Sequence, residues 1–237
     1  MKDERPKGPV VEGWSIPPAP EGAVLQGRYA SLEALNADAH AALLYQAFDG
    51  HDWIWDYMGV GPFSSSAQFY RWMQEATAKD DIHFYAIRDL DSGEWGGFAA
   101  YLRVKPTAGV IEVGFIAMAP CLQRTRAATE AIYLMMNWAF EAGYRRCEWK
   151  CDALNRPSRR AGQRFGFSYE GIFRQAMLVK GRNRDTAWFA VIDKEWSALD
   201  EAFHLWLDPG NFDGSGQQRE RLSDLTALVR AASDPKL

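Results

Sequence analysis

The chain has 237 residues, 47% of them hydrophobic and 24% charged, values of a folded protein that exclude disorder as the default state and allow one large domain or two small ones. A formal net charge of −4 excludes a general nucleic-acid binder, which is usually basic. Aromatic residues reach 14%, more than a small core needs, so some of them are expected to line a pocket.

Cys121, Cys147 and Cys151 are too few and too clustered for a disulfide framework. No second pair or nearby histidine completes a four-ligand zinc site around Cys147 and Cys151, so no metal is expected. No apolar run follows the N-terminal charges, and no apolar stretch is long enough to span a bilayer. The reading is a cytoplasmic protein with neither signal peptide nor membrane partner.

In chain order, residues 1–24 carry Pro6, Pro9, Pro17, Pro18 and Pro20 and read as an extended arm. From Ser31 onward, Leu32, Leu35, Leu43, Leu44 and Phe48 recur at near-helical spacing, with Asp38 as the expected N-cap of a helix ending near Gly50. Residues 51–63 form an aromatic loop, and a helix over 64–78 follows with Phe69, Trp72 and Met73 on one face. Three strands, 82–89, 95–104 and 109–118, are separated by turn residues and read as an antiparallel meander.

A helix over 127–142 buries Ile132, Met135, Met136, Ala139 and Phe140 and stops at Gly143. A short strand, 147–153, leads into a helix over 156–165 that stops at Gly166. Residues 172–179 and 186–192 then pair as a hairpin around Lys180 to Asp185. From Trp196 onward two helices are expected, separated by residues 208–216. This order is α+β, with a mixed, mostly antiparallel sheet that turns parallel where helix 127–142 crosses over.

Chemistry concentrates where strand 109–118 runs through the loop 119–127 into the next helix. A strand feeding straight into a helix start leaves a cluster of unpaired N–H groups beside the positive end of the helix dipole, which suits a phosphate. Arg124 and Arg126 add charge there. Asn155 opens the next helix as an N-cap, with Pro157 tolerated in its first turn. A calcium loop at 211–222 is rejected because Leu222 stands where a bidentate glutamate is required. No G-x-S-x-G motif supports a serine hydrolase.

Residues 112–174 bring together, in order, E-V-G-F on a strand, a Gln-led loop, T-E-A in a helix start, N-x-x-S opening the next helix, and G-F after it. This segment resembles the acetyl-CoA-binding core of GNAT N-acetyltransferases, most of all the RimJ/RimL type, and a weaker likeness runs from Leu25 to Trp196. The resemblance implies a GNAT domain over 25–196, with a helical extension over 197–237. It implies an enzyme passing the acetyl group of acetyl-CoA to a primary amine, of a protein N-terminus or a small molecule, by direct attack. A monomer or homodimer is expected.

The family's phosphate loop, Q/R-x-x-G-x-G/A, maps onto Gln123, Arg124, Thr125, Arg126, Ala127 and Ala128, with Arg126 where the middle glycine stands. Arginine must keep an ordinary φ there and swing its side chain out. That departure leaves a non-catalytic acyl-CoA-binding protein as the alternative. The resemblance further implies that Ile116, Ala117 and Met118 offer backbone groups to the thioester. Asn155 would hold the pantetheine arm, and Ser158 would bind the cosubstrate and protonate its departing thiolate. Glu112 is the expected general base, ahead of His83 and Asp56. Trp53, Trp55, Tyr57, Phe63, His83 and Asp185 are the expected walls of the acceptor pocket.

Overall fold

The structure, a computed structural model, describes residues 5–237. Strands β1 (Leu25–Gln26), β2 (Ala30–Ala34), β3 (His83–Asp89), β4 (Trp95–Lys105), β5 (Val110–Met118), β6 (Arg146–Asp152), β7 (Ser168–Val179) and β8 (Arg182–Ile192) form one sheet in the order β1-β2-β3-β4-β5-β6-β8-β7. Every neighbouring pair is antiparallel except β5 with β6. That parallel pair is joined by helix α3 (Arg126–Glu141), as a parallel connection requires.

Alternation along the strands separates two cores. Leu32, Tyr85, Tyr101, Val113, Trp149 and Phe189 point to one face, where α3, α4 (Arg156–Arg164) and α5 (Asp193–Leu207) cover them. Phe84, Phe98, Ala100 and Leu102 point to the other, beneath α1 (Ala37–Phe48) and α2 (Ser66–Thr77). Residues 5–24 carry no regular element, but the Trp14 indole donates to the Gly143 carbonyl at 2.8 Å and Tyr144 Oη donates to the Pro18 carbonyl at 2.9 Å. The arm is therefore fastened beyond the end of α3.

Two sequence-based expectations shift. Leu32 belongs to strand β2 rather than to a helical stripe, and Asn36, not Asp38, caps α1 by accepting from the Ala39 N–H. The hairpin turn is the pair Lys180-Gly181, both at positive φ (49° and 73°), as a two-residue hairpin turn demands. Arg182 to Asp185 thus lie within β8 rather than at a tip.

The C-terminal segment is not a separate unit. Helix α5 runs through the expected boundary at residue 196, and its Leu199, Phe203 and Trp206, with Leu222 at the start of α6 (Leu222–Ala227), join the α3 core. Gly166 ends α4 at φ +92°, and a Cβ there would lie 2.4 Å from Leu199, so both backbone and packing require glycine. No helix among the described residues is long and apolar enough to cross a membrane.

Candidate active site

The β5–β6 pairing covers only Val110 to Glu112 against Arg146 to Glu148; beyond it the strands part. On its other edge β5 carries a bulge. Phe98 and Ala100 pair with Ala117 and Gly114, and Phe115 takes φ +49°, an uncommon conformation for a residue with a side chain. The Ala119 N–H donates to Gly96 of β4 at 2.7 Å. Alternation therefore turns the backbone groups of Met118 and Ile116 away from β4, into the opening, while Ala117 faces β4.

The loop after β5 is fixed from within. Gln123 Nε2 donates to the Met118 carbonyl at 2.8 Å, and Thr125 caps α3 by accepting from the Ala128 N–H at 3.0 Å. The left-handed residue of the loop is Arg124, at φ +63°, rather than the position where the glycine was expected. Among the described residues the N–H groups of Arg124, Arg126 and Ala127 have no partner, so three donors remain at the helix start.

The two loop arginines differ. Arg126 is the first residue of α3; its guanidinium lies 4.5 Å from the Tyr29 ring and 5.1 Å from the Phe212 ring, with Asp91 at 3.2 Å. Arg124 is exposed and has no ion pair among the described residues. Arg164 sits near the same helix start, donating to Thr129 Oγ1 at 3.1 Å with no carboxylate partner among the described residues, and burial lowers its pKa to about 10. The glutamate of T-E-A has a structural duty: the buried Glu130 carboxylate accepts from the N–H groups of Arg28, Tyr29 and Ala30 at 2.6–2.9 Å.

Across the opening, Asn155 Oδ1 accepts from the Ser158 N–H at 3.1 Å, which leaves the amide nitrogen for another partner. Ser158 Oγ accepts from Trp149 Nε1 at 3.1 Å, so its own proton is available to donate. Burial raises the neighbouring Cys151 thiol to about 11 against a hydrogen bond with Ser158. That thiol is protonated at neutral pH and is no competing nucleophile. Helix α4 is held by Arg159, whose guanidinium makes two 2.6 Å bonds to the buried Asp234 carboxylate.

Glu112, the expected general base, stands in a network of ion pairs. Its carboxylate is buried; Arg103 donates to both oxygens at 2.7 Å, and Lys150 Nζ lies 2.9 Å from Oε2. Lys150 also pairs with Glu148, and Arg146 joins Glu148 to Glu170. Burial alone would raise the Glu148 pKa, but hydrogen bonds from Lys150 and Arg146 bring it below the usual value. Both Glu112 oxygens are thus occupied by cationic donors. Glu112→Gln is expected to leave the shape of the kcat/KM pH profile intact while lowering stability by ~1.5–3 kcal/mol, through lost charge-assisted bonds. A pH titration of activity beside a thermal melt separates these effects.

His83 also falls away from the site. Its register partner is Tyr101, whose hydroxyl donates to Met135 of α3 at 2.7 Å, whereas Glu112 pairs with Leu102 beneath α1 and α2. His83 and Glu112 thus occupy opposite faces of the sheet. His83 lines a separate cavity of about 290 Å³ with Asp80, Asp81 and Arg103. Burial lowers its pKa against the opposing field of Asp81 and Asp80.

Of the aromatic loop, Trp55 is core, packed on Phe48, Phe63 and Phe69, and Phe63 is half-buried beside it. Trp53 is exposed. Tyr57 reaches the α4 side of the opening, its hydroxyl donating to Leu154 at 3.3 Å. Lys180 of the hairpin turn donates to the Trp55 carbonyl at 2.8 Å, tying the hairpin to the same loop, with Asp56 nearby. Asp185 is already occupied: it accepts from the Gln175 N–H at 2.7 Å and from Asn183 at 3.0 Å, steadying the bulge in β7. Sequence reasoning missed Trp149, Lys150 and Arg103, whose roles arise from pairing across the sheet. Among the described residues no cluster of three or more His, Cys, Asp or Glu is placed to hold a metal ion.

A mixed sheet splayed at its one parallel pair, with a strand–loop–helix corner beside the gap, defines an acyltransferase fold. The chain belongs to the GNAT acetyltransferases: residues 31–168 match the acetyltransferase (GNAT) domain family. It is similar to the crystal structure of a GCN5-related N-acetyltransferase from Brucella melitensis, with 45% identity and a TM-score of 0.89 over 92% of this chain and all of that one. A GNAT-family acetyltransferase structure from Chromobacterium violaceum is 41% identical, with a TM-score of 0.78 over 84% of this chain and all of that one. An acetyltransferase from Salmonella typhimurium that modifies the N-terminal serine of ribosomal protein L7/L12 shares the fold at 19% identity and a TM-score of 0.61, over 72% of this chain and 99% of that one. No curated protein matches the chain.

Proposed function

We propose that the chain is an acetyl-CoA-dependent N-acetyltransferase working by direct transfer in a ternary complex. The observation that carries this reading is the pairing of three free N–H groups at the α3 start with Ser158 across the splayed strands. The pyrophosphate of acetyl-CoA is held by the N–H groups of Arg124, Arg126 and Ala127 at the positive end of α3, with the Arg124 side chain beside them. The pantetheine arm runs through the gap, taking hydrogen bonds from Asn155 and from the open backbone of Ile116 and Met118.

A neutral primary amine attacks the thioester carbon. The developing oxyanion is stabilised by an N–H group of the β5 opening, and holding both reactants in one channel supplies much of the rate. As the tetrahedral intermediate collapses the C–S bond breaks, and Ser158 gives its proton to the thiolate while the Trp149 indole holds its oxygen. The ammonium proton leaves to solvent and Ser158 regains one from solvent, since Glu112 is engaged by Arg103 and Lys150.

Thiol release from acetyl-CoA, followed against a panel of primary amines, tests the reading. Amine-dependent release with matching N-acetyl product supports it; release at the rate of hydrolysis with every amine contradicts it. Arg124→Ala is expected to raise the acetyl-CoA KM about tenfold, one exposed charge-assisted contact. A truncated acetyl-pantetheine, which lacks the pyrophosphate, should show no such change.

A further inference from the structure

The face of β6 and β8 that carries Lys150 and Trp188 is turned away from α4 and α5, which pack on Trp149 and Phe189 opposite. Register places Arg184, Thr186 and Trp188 along this face, with Thr186 beside Asp152 and Trp188 beside Lys150. These are the residues of β6 that part from β5, so the row lies about one strand spacing, ~4.8 Å, from the opening. The ties from Lys180 to Trp55 and from Tyr57 to Leu154 close the channel on the side of the aromatic loop.

Among the described residues three polar atoms in this row are buried without a hydrogen-bond partner: Arg184 Nε, Thr186 Oγ1 and Trp188 Nε1. Thr186 as a whole is 5% exposed. Buried donors are normally satisfied, and leaving one unpaired is costly. Three at alternate positions of one strand form a line of donors on the face that carries Lys150.

Charge decides what they receive. Arg103, Lys150 and Arg146 are balanced by Glu112, Glu148 and Glu170 in a continuous chain of ion pairs. Among the described residues Arg184 has no carboxylate within ion-pair distance, and Asp152, the carboxylate one register step away on β6, has no cation; Arg184 is the one of the two that offers donors. A carboxylate there meets a planar guanidinium with a hydroxyl and an indole N–H beside it.

We infer that the acceptor is a small amine bearing a carboxylate, an amino acid or a close relative, anchored by Arg184 with Thr186 and Trp188. This rests on the proposed acetyl transfer and specifies its second substrate. The test compares kcat/KM, per neutral amine, for glycine, β-alanine and longer amino acids with that for their carboxamides and for spermidine.

The acids are expected to lead by about 10–100-fold, the worth of one charge-assisted contact. Arg184→Gln should bring the acids down to the level of the amides. Thr186→Val should raise the KM of the acids while leaving the melting temperature unchanged or higher, because its hydroxyl has no bond to lose in the free protein. Equal or better turnover of carboxamides or spermidine, or an undiminished preference in Arg184→Gln, overturns the proposal and leaves acetyl transfer standing. If no amine releases thiol, the transfer reading itself fails. Calorimetric titration of acids and amides into the CoA-saturated protein then decides the anchor: acid-selective binding lost in Arg184→Gln supports it, and equal or absent binding overturns it.

Discussion

Asp234→Ala should destabilise the protein by ~3–5 kcal/mol, the cost of leaving one member of a buried ion pair without its partner. Arg159 and Asp234 are 3% and 4% exposed and share two 2.6 Å bonds, while a third arginine nitrogen donates to the Ala153 carbonyl. For a chain of this size the loss corresponds to a fall in Tm of roughly 6–20 °C. Arg159 lies one residue beyond Ser158 on α4, so loosening it should also lower kcat. Replacing both partners together, Arg159→Met with Asp234→Leu, should recover part of the stability, because no charge is then stranded. A double variant as unstable as the single one would show that the pair holds α4 by something other than compensated charge.

Ser158→Ala carries the largest expected effect on catalysis. If the hydroxyl protonates the departing thiolate, kcat should fall about 10²-fold, the lower end of general-acid assistance because a thiolate leaves readily. Acetyl-CoA binding should stay near the wild-type value, since the Asn155 side chain and the α3 donors are untouched. Trp149→Phe should lower kcat in the same direction by a smaller factor, and should have no further effect in the Ser158→Ala background. Full kcat in Ser158→Ala would reduce the serine to a residue of the first turn of α4.

Most of the fold was legible because local rules and tertiary packing agree. Helices α2, α3 and α4 fall within two residues of the expected 64–78, 127–142 and 156–165, the last two ending before Gly143 and Gly166, and the meander through β3, β4 and β5 follows the turns. The failures lie where a local pattern was overruled. Leu32 fits a helical stripe but pairs with Ile87 in the sheet. Arg182 and Asn183 look like turn residues but lie in β8, because Lys180 and Gly181 alone complete a two-residue turn.

The strand–loop–helix corner proposed to hold acetyl-CoA was legible as a corner because its donors are consecutive in sequence. The row proposed to face the acceptor was not, because Glu112, Lys150 and Trp188 meet only through strand register, which periodicity does not reveal. A glutamate on a central strand looks the same in sequence whether free or held by Arg103 and Lys150. His83 was misplaced for a related reason: a one-residue difference along a strand decides which face a side chain takes.

The most direct test of the central claim, that acetyl-CoA is held at the start of α3, is a thermal-shift titration of the intact chain with acetyl-CoA and CoA. At 100 times the dissociation constant the bound ligand stabilises the fold by about 2.7 kcal/mol, which for this length is a rise in Tm of roughly 5–11 °C. The account predicts a saturable rise with both ligands, reduced in Arg124→Ala. An unchanged Tm with both at millimolar concentration would contradict it.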